Sequence, residues 1–333
     1  MSAKELTSTE RDLLVKAAIL APSMHNTQPW LFRFQHTVEI YRDPRRELLA
    51  EDPDGRMTMI GVGAATFNVR VAVAGMGRRS STVLVRDPDR PTLAAEVRIG
   101  PLTAGRVEPA HLFGFLARRR TSRYPFASHP IPLQVRQELL DAAEHEGAYL
   151  DWVDDRDRCR WLLEVASDAD AADTQDPDRL AERRAWVGGE RGSAGVPSTA
   201  LGPRPAEPSA PVRDLAVDPF DRRRATQQFE LQPMLAVLST ERDSWQDWLT
   251  AGQALQRVLL VATTHELAVS LLNQPLEHAE LRSQIRDPHS RWSEPQAILR
   301  FGYGPTVLPP PRRPAADFLF DEETTPLRGR GDQ

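Results

Sequence analysis

One segment, APSMHNTQPW at residues 21–30, concentrates the side chains best suited to contact a ligand. Pro22 should end the preceding helix, and Ser23 and Asn26 are residue types that bond readily to local backbone in turns. The same chemistry describes a plain capped turn between a helix and a strand, so the segment alone does not define a site. His25 stands out because it lies within the segment, whereas the other histidines are scattered without a spacing suited to metal ligation.

A second segment, RRRTSRYPF at residues 118–126, has the donors that a phosphate monoester requires. Arginine forks bind phosphate through two parallel hydrogen bonds, and the hydroxyl of Thr121 adds a donor between them. The alternative is a solvated basic turn at a helix end, where arginines face the helix dipole favourably. The arginines therefore indicate a phosphate site only together with a partner motif.

Two further polar elements lie near the carboxyl end. FGYG at 301–304 precedes LPPPRRP at 308–314, which contains Arg312 and Arg313. The local alternative is a proline-rich tail with two solvated arginines. The run SLLNQPLE at 270–277 follows a long apolar stretch and offers amide side chains and backbone at its end.

Taken in order, these four elements resemble the Acg-type family of nitroreductase-like, FMN-binding proteins. In the nitroreductase superfamily a Pro-Ser then Asn-x-Gln-Pro-Trp run packs its polar atoms on the flavin, and an Arg-x-Ser-x-Arg/Lys signature grips the FMN phosphate. Arg119, Thr121 and Arg123 fall on the three signature positions, with threonine keeping the hydroxyl of the usual serine. A basic residue beyond a Gly-Tyr strand end closes over the same phosphate in that superfamily.

The resemblance implies the following cofactor-binding residues: Pro22, Ser23, Met24, Asn26, Gln28, Arg119, Arg120, Thr121, Arg123, Asn273, Gln274, Arg312 and Arg313. It implies no catalytic side chain, because the flavin carries the redox chemistry, and no metal ligand. The sequence leaves open whether Arg119 or Arg120, and whether Arg312 or Arg313, contacts the phosphate.

The resemblance also implies an α+β, nitroreductase-like fold in which two related halves form a pseudo-dimer within one chain. Classical nitroreductases place phosphate ligands from one subunit against the Pro-Ser-x-x-Asn wall of the other. Here the wall motif comes first and the phosphate motif follows about 100 residues later, the order expected of a fused dimer. We expect residues 1–108 and 109–333 to form the halves, with one FMN between them. The chain would be a monomeric pseudo-dimer or a weak homodimer.

Hydrophobic periodicity predicts the elements that must position these motifs. The first helix should take Ser8 or Thr9 as its N-cap and stop before Pro22. Helices are further predicted at 58–76, from 109 to 119, and at 133–145, 158–170 and 244–272, with strands at WLFRF, VEIYRD, STVLVRD, AAEVRIG, YLDWV and QAILRFGYG and an irregular part in between. The first helix aligns with 133–145 and the second with 244–272, placing Asn68 on Gln256, which favours two related halves.

Residues 188–218 are rich in Gly, Pro, Ser and Ala and have no periodicity. A loop of this length inside a compact protein is usually a lid or a disordered insertion. We expect a lid, because the flanking Trp186 and Phe220 are apolar and could pin both ends. The alternative is a flexible insertion that covers no site.

Composition narrows the function classes. The net charge of -5 and a pI near 6.0 give no general attraction to nucleic acid or to an anionic membrane. The amino terminus lacks the apolar core of a signal peptide, and charged residues interrupt the longest apolar stretch, 254–272, so we expect no membrane span and a cytoplasmic location. The single cysteine, Cys159, excludes an intrachain disulfide. The chain has no GxGxxG after a strand, no P-loop and no GxSxG.

The resemblance implies hydride transfer between NAD(P)H and flavin N5, followed by reduction of a small aromatic acceptor such as a nitroaromatic or quinone. An alternative is a flavin-sequestering or storage protein whose lid covers the FMN and leaves little or no turnover. A third is an interaction module that binds no flavin, which predicts a colourless purified protein.

Overall fold

The structure is a computed structural model that describes residues 6–207, 210–218, 220–287 and 289–319. It combines helices with two four-stranded antiparallel sheets and a short two-stranded pair. The α+β architecture predicted from the sequence is confirmed.

The first half begins with a helix and ends with a long strand. Its helices and strands, in chain order, are α1 (Ser8–Ala18), β1 (Trp30–Phe34), β2 (Val38–Arg42), α2 (Arg56–Gly75), β3 (Arg78–Leu84) and β4 (Leu93–Leu102). The strands form one sheet in the order β1-β2-β4-β3, and β1 and β2 make the predicted hairpin.

The second half repeats this order but contains a long insertion, residues 153–233. Its elements are α3 (Leu133–Glu144), β5 (Tyr149–Trp152), α4 (Arg156–Gln175), α5 (Pro177–Trp186), β6 (Arg204–Pro205), β7 (Thr226–Gln227), β8 (Met234–Thr240), α6 (Trp245–Thr264), β9 (Ala268–Leu271), α7 (Ala279–Ile285) and β10 (Glu294–Gly302). The main sheet has the order β5-β8-β10-β9. Because α1-β1-β2-α2-β3-β4 and α3-β5-β8-α6-β9-β10 share both chain order and sheet order, the two related halves are confirmed.

Helices α2 and α6 cross between the halves, where two glycines bring their backbones together. A Cβ atom built on Gly63 would lie 2.3 Å from the carbonyl oxygen of Leu249, and one built on Gly252 would lie 2.1 Å from that of Ile60. The contact is reciprocal, as at a two-fold interface. Neither position accepts a side chain unless the helices separate.

The amide pair that the sequence alignment matched meets at the same crossing. Gln256 donates from Nε2 to Asn68 Oδ1 at 2.7 Å, and Asn68 donates from Nδ2 to the carbonyl oxygen of Ala17 at 3.0 Å. Both side chains are fully buried, so these hydrogen bonds offset the cost of desolvating them. The sequence alignment matches Asn68 with Gln256. The first residues of α2 and α6, and the two contacting glycines, match only when that alignment is shifted by one residue.

The start of α1 differs from the prediction, because its N-cap is Thr7 rather than Ser8 or Thr9. The Thr7 hydroxyl accepts from the backbone N–H of Glu10 at 3.2 Å, and the Glu10 carboxylate accepts from the backbone N–H of Thr7 at 2.8 Å. This capping box requires an acidic or amide side chain three residues after the cap. Thr7 and Glu10 have this spacing; Thr9 and Asp12 have it too, but Thr9 lies within the helix and Asp12 pairs with Lys16 at 2.7 Å.

Several element predictions were wrong in the second half. Helix α6 ends at Thr264 rather than near 272, because Glu266 adopts a left-handed φ of +59° and the chain then enters β9. A short buried strand and a buried helical turn have the same apolar composition, so periodicity does not separate them. Residues 109–119 form a short 3₁₀ helix, Ala110–Phe115, and α5 and β8 occupy a part predicted to be irregular.

Each half has its own hydrophobic core, but two segments cross between the halves. Leu112 and Leu116, which precede the arginine-rich segment, are buried in the core of the first half. Phe318 is buried in the same core, so the chain returns from the second sheet to the first half after β10. The division at residues 108 and 109 stays a prediction.

Helix α2 is long and apolar enough to cross a bilayer, contrary to the expectation that no segment could. Among the described residues it is the one helix with this property, and 94% of its most apolar window is buried inside the protein. A helix surrounded by other elements is apolar on all sides. Its composition is therefore that of a core helix.

Candidate functional site

Residues 21–30, called the wall segment here, turn sharply between α1 and β1. His25, Asn26 and Gln28 have φ angles of +45°, +56° and +55°. Left-handed backbone in such residues costs roughly 1 kcal/mol or more each and persists only where neighbouring contacts impose it. One such contact comes from Ser23, whose Oγ accepts from the backbone N–H of Gln28 at 2.9 Å. Strain of this kind is typical of functional sites.

The two amide side chains of the wall segment fasten other parts of the chain. Asn26 donates from Nδ2 to the carbonyl oxygens of Gly195 and Pro311, at 3.0 and 2.9 Å. Gln28 donates from Nε2 to Ser193 O at 2.9 Å and is fully buried. Gln28 therefore anchors the insertion and lies outside the cavities described below, unlike Asn26.

The arginine-rich segment, residues 118–123, lies beside the second sheet. The backbone N–H of Ser122 donates to Val269 O in β9 at 2.8 Å, and Thr121 forms an isolated bridge with the same residue. The preceding 3₁₀ turn is closed by the Arg119 N–H, which donates to Phe115 O at 3.0 Å. The segment is thus held at both ends, and Arg119, Thr121 and Arg123 line a cavity between the halves.

Arg119 is buried and forms no ion pair with any residue that the structure describes. Its side chain donates from Nη2 to Leu20 O at 3.3 Å, while Nε and Nη1 are buried and have no partner among the described residues. Burial, together with the nearby Arg312 and Arg120, lowers the pKa of Arg119 to about 9. A bound anion would reverse these effects.

Arg312 and Arg123 complete a group of three cations around the same space. Arg312 donates to Ile19 O at 2.5 Å and to Asn26 Oδ1 at 2.6 Å, and Arg123 donates to Ala200 O at 3.1 Å. Burial lowers the pKa of each guanidinium to about 10, with a further contribution from neighbouring arginines. In the described ranges no carboxylate forms an ion pair with these three arginines.

The neighbouring arginines that the sequence left as alternatives turn elsewhere. Arg120 donates to the carbonyl oxygen of Arg119 at 2.7 Å. Arg313 donates to Asp317 O at 3.0 Å, and its guanidinium carbon lies 4.4 Å from the ring centre of Phe318. Neither lines the cavities between the halves. The geometry therefore favours Arg119 and Arg312 as the anion-facing members of the two pairs.

Two adjoining cavities lie between the halves. The first, of about 210 Å³, is lined by the three cation-bearing side chains and by the tip of the insertion. The second, of about 110 Å³, is mainly apolar, with walls that include Met24, Met57, Ile60, Leu255 and Leu271. Both are bordered by Pro22, Ser23, His25, Thr121 and Arg123. A ligand with an anionic end and an apolar body would match this pair.

The amide residues that follow β9 have different surroundings. Asn273 lines the second cavity, and its Oδ1 accepts from the backbone N–H of Ile298 at 2.9 Å, which fixes the side chain. Gln274 is fully buried, lies outside both cavities and faces Asp170, with Nε2 and Oδ2 3.4 Å apart. Asn273 therefore borders the cavity, whereas Gln274 supports the backbone behind it.

The sequence matches no protein-family model, but it is similar to curated mycobacterial proteins. It is 32% identical over 307 residues to Putative NAD(P)H nitroreductase Rv3131 of Mycobacterium tuberculosis, which covers 89% of this chain and 87% of that protein. It is 30% identical over 308 residues to Putative NAD(P)H nitroreductase acg of the same organism, covering 90% and 92%. The chain belongs to the Acg-type family of nitroreductase-like proteins.

Solved structures with a related arrangement are nitroreductases of low sequence identity. FMN-dependent nitroreductase NfnB from Mycobacterium smegmatis, in complex with NADPH, is 16% identical with a TM-score of 0.38, covering 62% of this chain and 96% of that one. A nitroreductase with bound FMN from Bacteroides fragilis is also 16% identical, with a TM-score of 0.35 and coverage of 58% and 88%. Family membership therefore rests on the curated relatives.

In this family member the insertion between β5 and β8 lies against the wall segment. A small apolar cluster holds its tip together, formed by Val187, Val196, Leu201 and Leu215. Trp186 packs on this cluster as expected, but Phe220 is 75% exposed and does not pin the other end. The expectation for Phe220 was wrong, because this part of the chain is held by Arg224, which pairs with Asp214 and donates from Nε to the carbonyl oxygen of Asp221 at 2.6 Å.

Sequence reasoning missed a buried pair of side chains beside the cavities. His25 Nε2 lies 2.5 Å from Glu51 Oε2, and both side chains are almost inaccessible. Glu51 also accepts from Arg183 Nε at 2.9 Å. Burial would raise the pKa of Glu51, but the facing His25, Arg213 and Arg183 lower it to about 2. No motif links Glu51 to the wall segment, so only the fold reveals the pair.

Arg213 was also missed, and it connects the insertion to both halves. Its guanidinium lies 2.7 Å from Asp173 Oδ2, 2.9 Å from Glu277 Oε1 and 3.5 Å from Glu51 Oε1. It borders the second cavity as well. The carboxylate oxygens of Glu51, Asp173 and Glu277 lie within 4.8 Å of one another, and arginine side chains neutralise them. Arg213 lies in a proline-rich stretch of the sequence, and nothing in that pattern predicts that its side chain is buried.

Proposed function

We propose that the chain binds FMN between its halves, with the phosphate facing Arg119, Arg123 and Arg312. The observation that carries this proposal is the buried Arg119 guanidinium, which has two nitrogens without a partner among the described residues. A buried unpaired charge costs several kcal/mol. A phosphate would remove that cost through charge-assisted hydrogen bonds, which arginine forms in pairs.

The second cavity supports the flavin ring as the rest of the ligand. Met24 and Ile60 from the first half, and Leu255 and Leu271 from the second, offer apolar surfaces to a flat ring system. The cavities share the wall segment, so one molecule can extend from the arginines to the apolar walls. We place the backbone N–H groups near Asn273 beside the reduced ring, where they would stabilise negative charge.

Bound FMN would supply the redox chemistry by taking a hydride at N5 from NAD(P)H and passing electrons to an acceptor. The chain's own residues bind the phosphate, orient the ring and exclude water. We propose a nitroaromatic or quinone-like acceptor, in keeping with the names of the curated relatives.

Residues 188–218 act as a lid in this proposal. Asn26, Gln28 and Arg123 bind their backbone, and Arg213 ties them to carboxylates of both halves. The second cavity is below the roughly 300 Å³ of common small-molecule pockets, and Leu215 lines it. The lid must therefore shift when the ring enters.

These lid contacts also favour a second candidate function, which is sequestration of the flavin. A closed lid would keep a nicotinamide away from the ring and leave little turnover. Anaerobic stopped-flow with NADH and NADPH separates the candidates: rapid bleaching of the flavin band supports the reductase, and persistent oxidised absorbance supports sequestration.

The FMN site itself is tested by an absorbance spectrum of the purified protein and by FMN titration of Arg119→Ala. We expect a yellow protein, and an affinity at least roughly 100-fold weaker in R119A, since two hydrogen bonds to a charged group are worth about 1.5–3 kcal/mol each. The matched control is Arg120→Ala, which should weaken FMN binding by less than about tenfold, because the charge of Arg120 lies near Arg119 but its side chain lines neither cavity. A wild-type protein that binds no flavin, or equal losses in both variants, would reject the site.

We also propose that a single chain forms the complete site. The wall segment, the three arginines and the lid all belong to one chain. Light scattering of the FMN-loaded protein should give the mass of one chain, and loss of FMN on dilution of a larger assembly would contradict this.

A further inference from the structure

His25 is the imidazole that borders both cavities, and its position is built by strain and by burial. Its backbone is left-handed, with φ +45° and ψ 22°. Its ring is 2% exposed, and Nε2 lies 2.5 Å from Glu51 Oε2. A strained, buried and ion-paired side chain at the edge of a ligand cavity is a candidate for chemistry.

Glu51 fixes the ring of His25. Its other oxygen, Oε1, accepts from Arg183 Nε at 2.9 Å and lies 3.5 Å from Arg213 Nη2. Its backbone N–H donates to Glu182 Oε2 at 2.8 Å. These cations hold Glu51 as a carboxylate, which only accepts hydrogen bonds, so Nε2 of His25 carries a hydrogen.

The remaining ring nitrogen of His25, Nδ1, is then the one that can exchange a proton with a ligand. Among the described residues none forms a hydrogen bond with Nδ1, and the atom is not sealed from solvent. In the imidazolium form Nδ1 donates, and in the neutral form it accepts. The pair therefore resembles a carboxylate-oriented imidazole, in which the carboxylate fixes the tautomer and stabilises the cation.

The other ionisable groups around the cavities are unsuited to proton exchange near neutral pH. They are Arg119, Arg123, Tyr124, Arg213, Glu277 and Arg312. Arginine remains charged in this range and tyrosine remains neutral. Glu277 is paired with Arg213 at 2.9 Å. Imidazole is the side chain that ordinarily gains and loses a proton between pH 5 and 8.

We infer that His25 donates a proton from Nδ1 to the acceptor, and that the acceptor is of the quinone class. This inference rests on the proposed function, which supplies a hydride from the reduced flavin. The hydride adds two electrons and one proton to the quinone and leaves a negative charge on one oxygen. That oxygen takes the Nδ1 proton to form the hydroquinone. Neutral His25, still bound to Glu51, regains a proton from water.

The first test is His25→Gln, because glutamine can still donate a hydrogen bond to Glu51 but does not titrate. With NAD(P)H as donor, 1,4-benzoquinone reduction should fall about 100-fold, within the usual range for general acid catalysis. Ferricyanide takes one electron without a proton, so its reduction should stay within about twofold of wild type.

A second test reads the same group without turnover and without flavin. 4-Nitrophenol binding to the apoprotein, followed by absorbance, should favour the phenolate in the wild type because the cavity arginines and a cationic imidazole both face the bound oxygen; the contribution of His25 is the difference between wild type and H25Q. In H25Q the preference for phenolate over phenol should fall about tenfold. The control is His265→Gln, whose imidazole also contacts a carboxylate, with Nε2 2.6 Å from Glu138 Oε2, but borders neither cavity.

The outcomes separate this inference from the FMN proposal. Equal losses with quinone and ferricyanide, or unchanged quinone turnover, would overturn the proton-donor role even if FMN binds normally. A protein without flavin would overturn the proposed function, whereas the nitrophenol titration would still report on His25. If H25Q retains the phenolate preference of wild type, the inference is wrong.

Discussion

The two halves share one topology but differ in the lengths of their connections, and two of these differences bear on the candidate site. In the first half, residues 19–29 join α1 to β1 and form most of the wall segment, and residues 35–37 close a tight hairpin. In the second half, residues 145–148 join α3 to β5, and residues 153–233 separate β5 from β8. The two halves thus have corresponding connections between their first helix and first strand. The longer one, in the first half, forms part of the candidate site.

Charges fill the corresponding short connection of the second half. Glu146 forms ion pairs with Arg70 of α2 and with Arg257 of α6, the latter at 2.8 Å. Both guanidinium groups lie over the ring of Phe67, at 5.3 and 5.2 Å from its centre. The counterpart of the wall segment is therefore packed, whereas the wall segment itself borders two cavities. One framework thus carries a packed connection in one half and, in the other half, a connection that borders the candidate site.

The largest expected effect tests the crossing that both halves share. Gly252→Ala places a Cβ about 2 Å from a backbone carbonyl oxygen of α2, so the helices must separate. We expect a loss of about 3 kcal/mol in the free energy of unfolding, measured by urea denaturation. Gly114→Ala, where a Cβ would meet no atom within 4 Å, should change stability by less than about 0.5 kcal/mol. Similar losses in both variants would argue against close packing at the crossing.

An effect of similar size tests the point where the insertion meets the first half. The pKa of Glu51 is lowered in the folded protein from 4.5 to about 2, so its ion pairs stabilise the fold above pH 4.5. That contribution is lost as the pH falls from 4.5 to 2, and it amounts to about 3 kcal/mol.

Glu51→Gln should remove this part of the acid dependence in a series of urea titrations, and should also destabilise the protein at pH 7. Asp154→Asn is the control, because Asp154 is 70% exposed in its ion pair with Arg136 and such pairs contribute little. An unchanged acid limb in E51Q would show that Glu51 is not held ionised by its neighbours.

The smallest effect tests how differently the halves begin. Helix α1 has the Thr7 capping box, whereas α3 starts after Pro132 without a side-chain cap. Thr7→Ala should cost about 1 kcal/mol, and Ser8→Ala should cost less than about half of that. Thermal unfolding of the two variants gives the comparison, and a larger loss in S8A would restore the cap predicted from the sequence.

Sequence patterns predicted the first half better than the second, for a physical reason. Strands β1 and β2 are joined by a tight turn, and α2 has a continuous apolar pattern, so local periodicity identifies both. In the second half β8 follows a long insertion, and β9 continues the apolar composition of α6. Pairing with β10 makes both segments strands, and such long-range partners leave no local signal.

By itself, the sequence determined the motifs, their order and the similarity of the paired helices, because motif spacing and helical periodicity are local properties of a chain. The tertiary structure decided which side chains meet. It turned Arg119 and Arg312 toward the cavity and Arg120 and Arg313 away, and it brought Glu51 to His25. These choices depend on burial and on partners far apart along the chain, since a charged group is stabilised by whatever the fold places beside it.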